Sequence, residues 1–293
     1  MRKKITLVHV GVGLLLWLSL GSFSMADAVR CKDKSGNVIF TDNVRLCYGN
    51  DKKVISVTSL NKEIPNKKVK ANFRVPQRAY QKANSAWNIH IEKSLVDGDP
   101  ELTQKSLKKL EKSLEEIFSV LPENPASRLR GINFYLMWGK QSPHGGRKSG
   151  MSYIREGEPL NYAYLDPRWN HAIVIYSAKN LMYLTELWAK KALMHELAHA
   201  WHITNWPESH PPIVNTYQNA KRLGLYTNVK DIKGKIIPKA YAIKNQLEYF
   251  AELSAIYFVG GNYFPFSKHD IARYDKHGIN MLNQSWSLQK GNY

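Results

Sequence analysis

Residues 191–202, KALMHELAHAWH, constrain the fold more than any other stretch of the chain. Ala192, Leu193, Met194, Leu197, Ala198, Ala200 and Trp201 are apolar right round a helical wheel, so the segment is expected to form a helix buried on nearly every side. Two histidines and a glutamate lie within it, and polar groups taken out of water need partners. His195 and His199 are four residues apart, about one helical turn, so both rings leave one face and can turn a nitrogen toward a single metal ion. Glu196, one step round, falls beside the open coordination position, where a carboxylate takes a proton from water rather than acting as a ligand. An HExxH spacing also arises by chance, and it is the apolar surroundings that favour a metal, zinc above all, as the missing partner.

Read from its start, the chain opens like an export signal: Arg2, Lys3 and Lys4, an apolar run to Leu20, then small residues ending in Ala26-Asp27-Ala28. Residues 1–28 are therefore expected to be removed and the protein to be exported, periplasmic or secreted. The apolar run is too short for a permanent anchor, and no later segment reads as a membrane span. The two cysteines, Cys31 and Cys47, follow at once, and in an oxidising compartment they are expected to pair. Between them a turn signal at Lys34-Ser35-Gly36-Asn37 precedes the strand-like Val38-Ile39-Phe40-Thr41, which predicts a small disulfide-stapled β-hairpin over residues 29–59. The run from Cys31-Lys32-Asp33 to Phe40-Thr41-Asp42 resembles a short domain family of exported bacterial proteins, a resemblance that implies export and little more. Two zinc-ligand cysteines are the competing reading, weak so far from other ligands.

Residues 60–75 are polar and basic and read as a linker, which leaves 76–293 as the main domain. There, Leu107, Leu110, Leu114, Ile117 and Phe118 recur three or four apart and predict an amphipathic helix within 100–121. Segments 131–138 and 171–176 read as strands, separated by a polar, Gly-rich loop at 143–150. The expected class is α+β: a small mixed sheet packed on helices, ahead of the HExxH helix. The formal charge of +18 stays near +16 without the leader, which favours anionic partners such as envelope polymers or acidic polypeptides. Nucleic acid is not expected, because no nucleic-acid motif accompanies the charge.

A zinc hydrolase of this kind needs a third protein ligand. The pattern that places a histidine six residues after the second fails, since Asn205 stands there and His202 replaces the glycine between; His202 is expected to pack or cap. The remaining source is a later helix, expected over 238–258, where Tyr241, Asn245, Glu248 and Glu252 recur at four, three and four. Such a stripe on an apolar helix is costly unless the groups converge on something. Glu248 is the better ligand, with Glu252 holding a histidine's other ring nitrogen and Asn245 supporting the site; on spacing alone the two glutamates can exchange roles.

Together, HELAH and NQLEYFAELSAIYF resemble the glutamate-zincin peptidases of the anthrax lethal factor-like group, over roughly 151–286. The resemblance implies a zincin-type catalytic domain with zinc on His195, His199 and Glu248, support from Glu252, water activated by zinc and Glu196, and Tyr241 hydrogen-bonding the developing oxyanion. It also implies a protein or peptide substrate, an endopeptidase activity, and a substrate backbone added along strand 171–176. Rival readings are a zinc-containing module that binds anionic envelope polymers without catalysis, and a hydrolase of peptidoglycan cross-links. The loops 139–155 and 206–239 are where selectivity is expected.

Overall fold

The structure is a computed structural model that describes residues 78–161 and 165–288, together with the backbone of three earlier strands. The chain divides into two compact units, Met1–Asn72 and Phe73–Tyr293. In the first, β1 (Ala28–Lys32) pairs antiparallel with β2 (Val38–Thr41) from Lys32↔Val38 outward, the hairpin expected around the Lys34–Asn37 turn signal. A third strand, β3 (Tyr48–Ile55), pairs with the other edge of β1 and makes the order β2-β1-β3. The export signal, the Cys31–Cys47 bridge and the basic linker lie outside the described residues.

The second unit is α+β. Strand β4 (Tyr80–Lys82) pairs antiparallel with β5 (Asn88–Glu92), after which come the short helix α1 (Lys93–Gly98) and the long α2 (Pro100–Phe118). Helix α2 begins where it does because the Asp99 side chain accepts from the Leu102 N–H and Pro100 occupies the first turn. It buries Leu110, Leu114, Ile117 and Phe118, the stripe legible in the sequence. After α3 (Glu123–Leu129), β6 (Asn133–Leu136) lies parallel to β5. A loop then leads to β7 (Met151–Ile154), the four-residue α4 (Glu158–Asn161) and β8 (Ala172–Ile175).

The sheet order is β4-β5-β6-β8-β7, with β8 parallel to β6 and antiparallel to β7. Strand β8 therefore has neighbours on both sides, and its backbone cannot take up a further strand. The expectation that 171–176 receives substrate is corrected: the edge belongs to β7. Continuous burial explains the error's source, because Ile173 and Ile175 face the helices while Ala172 and Val174 face a second apolar layer with Tyr135, Met137, Trp169 and Tyr176. A strand covered on both faces is apolar throughout and interior.

Helix α5 (Ala178–Tyr183) is followed by the central helix α6 (Glu186–Asn205), capped by Thr185 and stopped before Pro207. Then come α7 (Pro211–Arg222), the antiparallel pair β9 (Thr227–Lys230) and β10 (Ile236–Lys239), and α8 (Gln246–Phe258), which packs along α6. Helices α9 (Lys268–Tyr274) and α10 (Lys276–Ser285) complete the unit. The expected helix over 238–258 is thus three pieces: the end of β10, a 3-10 turn at Tyr241–Ile243, and α8. Asn245 breaks it, sitting in extended backbone with its side chain accepting from the Glu248 N–H, the role for which asparagine competes best at a helix start. Among the described residues no helix is long and apolar enough to cross a membrane.

Candidate metal centre

Helices α6 and α8 bring three donor atoms together. His195 Nε2 and His199 Nε2 are 3.0 Å apart, and Glu248 Oε2 lies 3.1 Å from the first and 3.2 Å from the second. Among the described residues this is the group of histidine and acidic side chains able to hold a metal ion. The donor set passes a simple test of fit. His195 Nδ1 lies 2.9 Å from Glu252 Oε1 and donates its hydrogen there, so that in the neutral ring the lone pair of Nε2 is directed at His199 and Glu248. Lone pairs converging at this separation, beside a carboxylate, suit a divalent cation, and two imidazoles with one carboxylate suit zinc among others.

In the metal-free protein the same carboxylates favour a proton on His195, which a cation would have to displace. Burial on its own would lower the proton affinity of His195, but hydrogen bonds to Glu248 and Glu252 outweigh it and raise the pKa to about 9. Burial would raise both carboxylates, yet the imidazoles hold Glu248 far below the usual range, and His195 with Lys191 holds Glu252 at about 2. The pocket is arranged to keep two carboxylates ionised and positive charge between them.

Around the triad the other expected residues fall as follows. Glu196 is outside the donor group; its Oε2 accepts from the Tyr153 N–H of β7 at 2.7 Å, so the edge strand aims the carboxylate along the cleft. Tyr241 reaches the site from its turn rather than from a helix, donating from its hydroxyl to Glu248 Oε1 at 2.9 Å while half of the side chain stays exposed. Asn245 acts through the Glu248 backbone. Glu252 is buried and touches His195 but not the donor cluster's centre, the role first assigned to it. His202 faces away, buried against Phe250, as expected of a packing residue.

Four participants were missed. Lys191, one turn before His195, is buried and donates to Glu252 Oε2 at 2.7 Å. Its signal was present: a lysine at i−4 on an otherwise apolar face. Tyr263 donates its hydroxyl to the same carboxylate from an irregular segment that carries no pattern. Lys244 donates to both Tyr241 and Glu248 Oε1 at 3.0 Å. Tyr153 contributes a backbone N–H, which no side-chain motif announces.

The triad opens into a cleft of about 230 Å³ between β7 and α6, with Arg155, Ile203 and Leu247 in its walls. No protein-family model, curated protein or solved structure matches the chain. Its chemistry is therefore argued from these residues alone.

Proposed function

We propose that this protein is an exported zinc-dependent endopeptidase of the zincin type. One observation carries the reading: three metal-ligand atoms converge at the floor of an open cleft, with the non-ligand carboxylate of Glu196 held beside them by the edge strand. His195, His199 and Glu248 would hold the zinc, which would supply a Lewis acid to polarise a carbonyl and ease deprotonation of water. Glu196 accepts the proton of the attacking water and returns it to the leaving amine. Tyr241, partly exposed at the mouth, swings its hydroxyl from Glu248 to the oxyanion as charge develops. Strand β7, paired with β8 on one side only, offers to an extended peptide those backbone groups of its other edge that remain beside the Tyr153 N–H held by Glu196, the general way an edge strand recognises a chain.

The deciding experiment incubates zinc-loaded mature protein with a peptide library and, separately, with muropeptides, with and without chelator. Chelator-sensitive peptide cleavage supports the reading, while muropeptide release alone would move it to the cell wall. Glu196→Gln is expected to keep zinc and peptide binding and to lose several powers of ten in turnover, because an amide of the same shape cannot take the proton. Equal turnover with zinc retained would sink the mechanism.

A further inference from the structure

A second concavity lies beside the cleft. It is about 680 Å³ in volume, and Lys140, Lys148, Lys179, Asn180 and Tyr183 stand in its wall, with no acidic residue among those lining it. All three lysines are exposed, and none makes an ion pair among the described residues. Tyr183 is 87% exposed, an aromatic face turned to solvent. Elsewhere in the unit, lysines near acids are paired, as Lys112 is with Glu116 and Glu186 and Lys190 with Glu116.

The wall is built rather than casual. Lys140 and Lys148 stand on the loop between β6 and β7, and a buried pair holds that loop from below. Arg78 donates to the carbonyls of Gly145 at 2.7 Å and His144 at 3.2 Å. Glu92 accepts from the Trp138 N–H at 2.9 Å and from the Ser142 hydroxyl, with Arg78 beside it. Gly146 closes the loop on itself, since a Cβ there would collide with the Gly139 carbonyl. Asn180 accepts from the Gly150 N–H at 3.2 Å and ties the loop to α5, which carries Lys179. Buried charges are expensive, and this pair spends itself on positioning a loop whose exposed residues are cationic.

The pocket lies in line with the cleft. The Arg155–Glu208 ion pair joins the carboxyl end of β7 to the loop after α6, and the Tyr153 N–H meets Glu196 midway, so β7 and α6 run side by side in one direction. Gly150, three residues up the strand from Tyr153, is then about 10 Å toward the amino end. A peptide extended along β7 would leave the cleft at this end, beside the loop that carries Lys148 and the helix that carries Lys179.

Resting on the peptidase reading, we propose that this pocket selects substrates with acidic side chains three or more residues to one side of the bond that is cut. Lys140, Lys148 and Lys179 supply the charge, and Tyr183 packs against the aliphatic stem of a glutamate.

The test compares a cleaved peptide carrying a run of glutamates on either side of its scissile bond with the glutamine isosteres. On one side, glutamate is expected to raise kcat/KM about tenfold, the scale of a few exposed ion pairs, with the gain lost as salt is added. The triple variant Lys140→Gln, Lys148→Gln, Lys179→Gln should bring the ratio toward one, and the corresponding arginine triple should restore it. A ratio of one in the unaltered protein, or a ratio unchanged in the glutamine triple, overturns the proposal. If no peptide is cut, the peptidase reading fails, and binding then decides the pocket. Fluorescence anisotropy should find the labelled glutamate peptide about tenfold tighter on the unaltered protein than on the glutamine triple. Equal binding, or binding of an anionic polysaccharide with none of the peptide, overturns it.

Discussion

Lys191 is an improbable residue for the inside of an apolar helix face, and its surroundings explain its presence. Its ammonium is buried, 2.7 Å from Glu252 Oε2 and 5.0 Å from the ring of Tyr263. It keeps Glu252 ionised, and Glu252 in turn fixes the hydrogen of His195 on Nδ1. Lys191→Met should therefore cost about 3 kcal/mol of stability by leaving a carboxylate underpaired, and weaken zinc binding by about tenfold or more. Urea unfolding and chelator competition measure the two, and a variant with zinc affinity intact would sever Lys191 from the centre. A second residue gives a pH dependence. Burial holds His202 neutral, with its pKa down at about 4, against the smaller opposing effect of the Pro207 backbone. The unfolded chain takes up a proton below about 6.5, so the stability His202 contributes is full above that value and is lost as pH falls through 4. In metal-free protein His195, shifted upward, keeps its contribution throughout that range, and Glu252 at about 2 keeps its own down to about 4.5. Between pH 6.5 and 4.5 the metal-free protein should thus lose about 2 kcal/mol, and His202→Phe should flatten that limb. Denaturant midpoints across the window, equal in slope for both proteins, would contradict this.

At the scale of elements, the start of α8 does two jobs at once. Asn245 caps the helix through the N–H of Glu248, so the same hydrogen bond that begins α8 sets where its first carboxylate stands. Asn245→Ala should cost about 1 kcal/mol and also weaken zinc retention, whereas Asn245→Asp should preserve both. A cap loss that left zinc affinity unchanged would separate the two roles. The case also marks the limit of what the sequence made legible. Residues 195 and 199 could be placed on one face because both lie inside one uninterrupted helix, where spacing is geometry. The interval of four from Tyr241 to Asn245 looked the same, yet it is spanned by a 3-10 turn and a cap, which happen to deliver Tyr241 to the same carboxylate. Strand 171–176 was recognisable, and its unbroken apolar run already spoke for an interior position. Strand β7 was not recognisable, since MSYI is too short to display a period, and its contribution to the site is a backbone N–H. The pair β9 and β10 was hidden in what read as one long loop. Lys191 was readable from its position one turn before His195.

At the scale of the molecule, both apolar clusters of the described residues belong to the unit that carries the candidate centre. The charge of +18 is spread over the whole chain, and in the second unit Lys140, Lys148 and Lys179 stand around one concavity without an ion pair among the described residues. The centre itself joins distant parts of the chain: His199 and Glu248 are 49 residues apart, and between them run α7, the pair β9 and β10, and the turn bearing Tyr241. An ion gripped from both ends fastens that whole excursion like a clasp, and fastening a long loop restrains the chain more than fastening a short one. With zinc at a hundredfold excess over its dissociation constant the unit should gain about 2.7 kcal/mol, and a chelator should remove it. The loss should not be even. Lys221, Arg222, Lys230, Lys233 and Lys235 are exposed on the excursion, so trypsin should nick chelated protein there first and leave α2 and α6 whole. Mass spectrometry of the early fragments reads this directly, with cuts scattered equally over the unit as the contrary result. Withdrawing zinc would then do more than silence such a protein: it would mark the chain for destruction, beginning at the clasp.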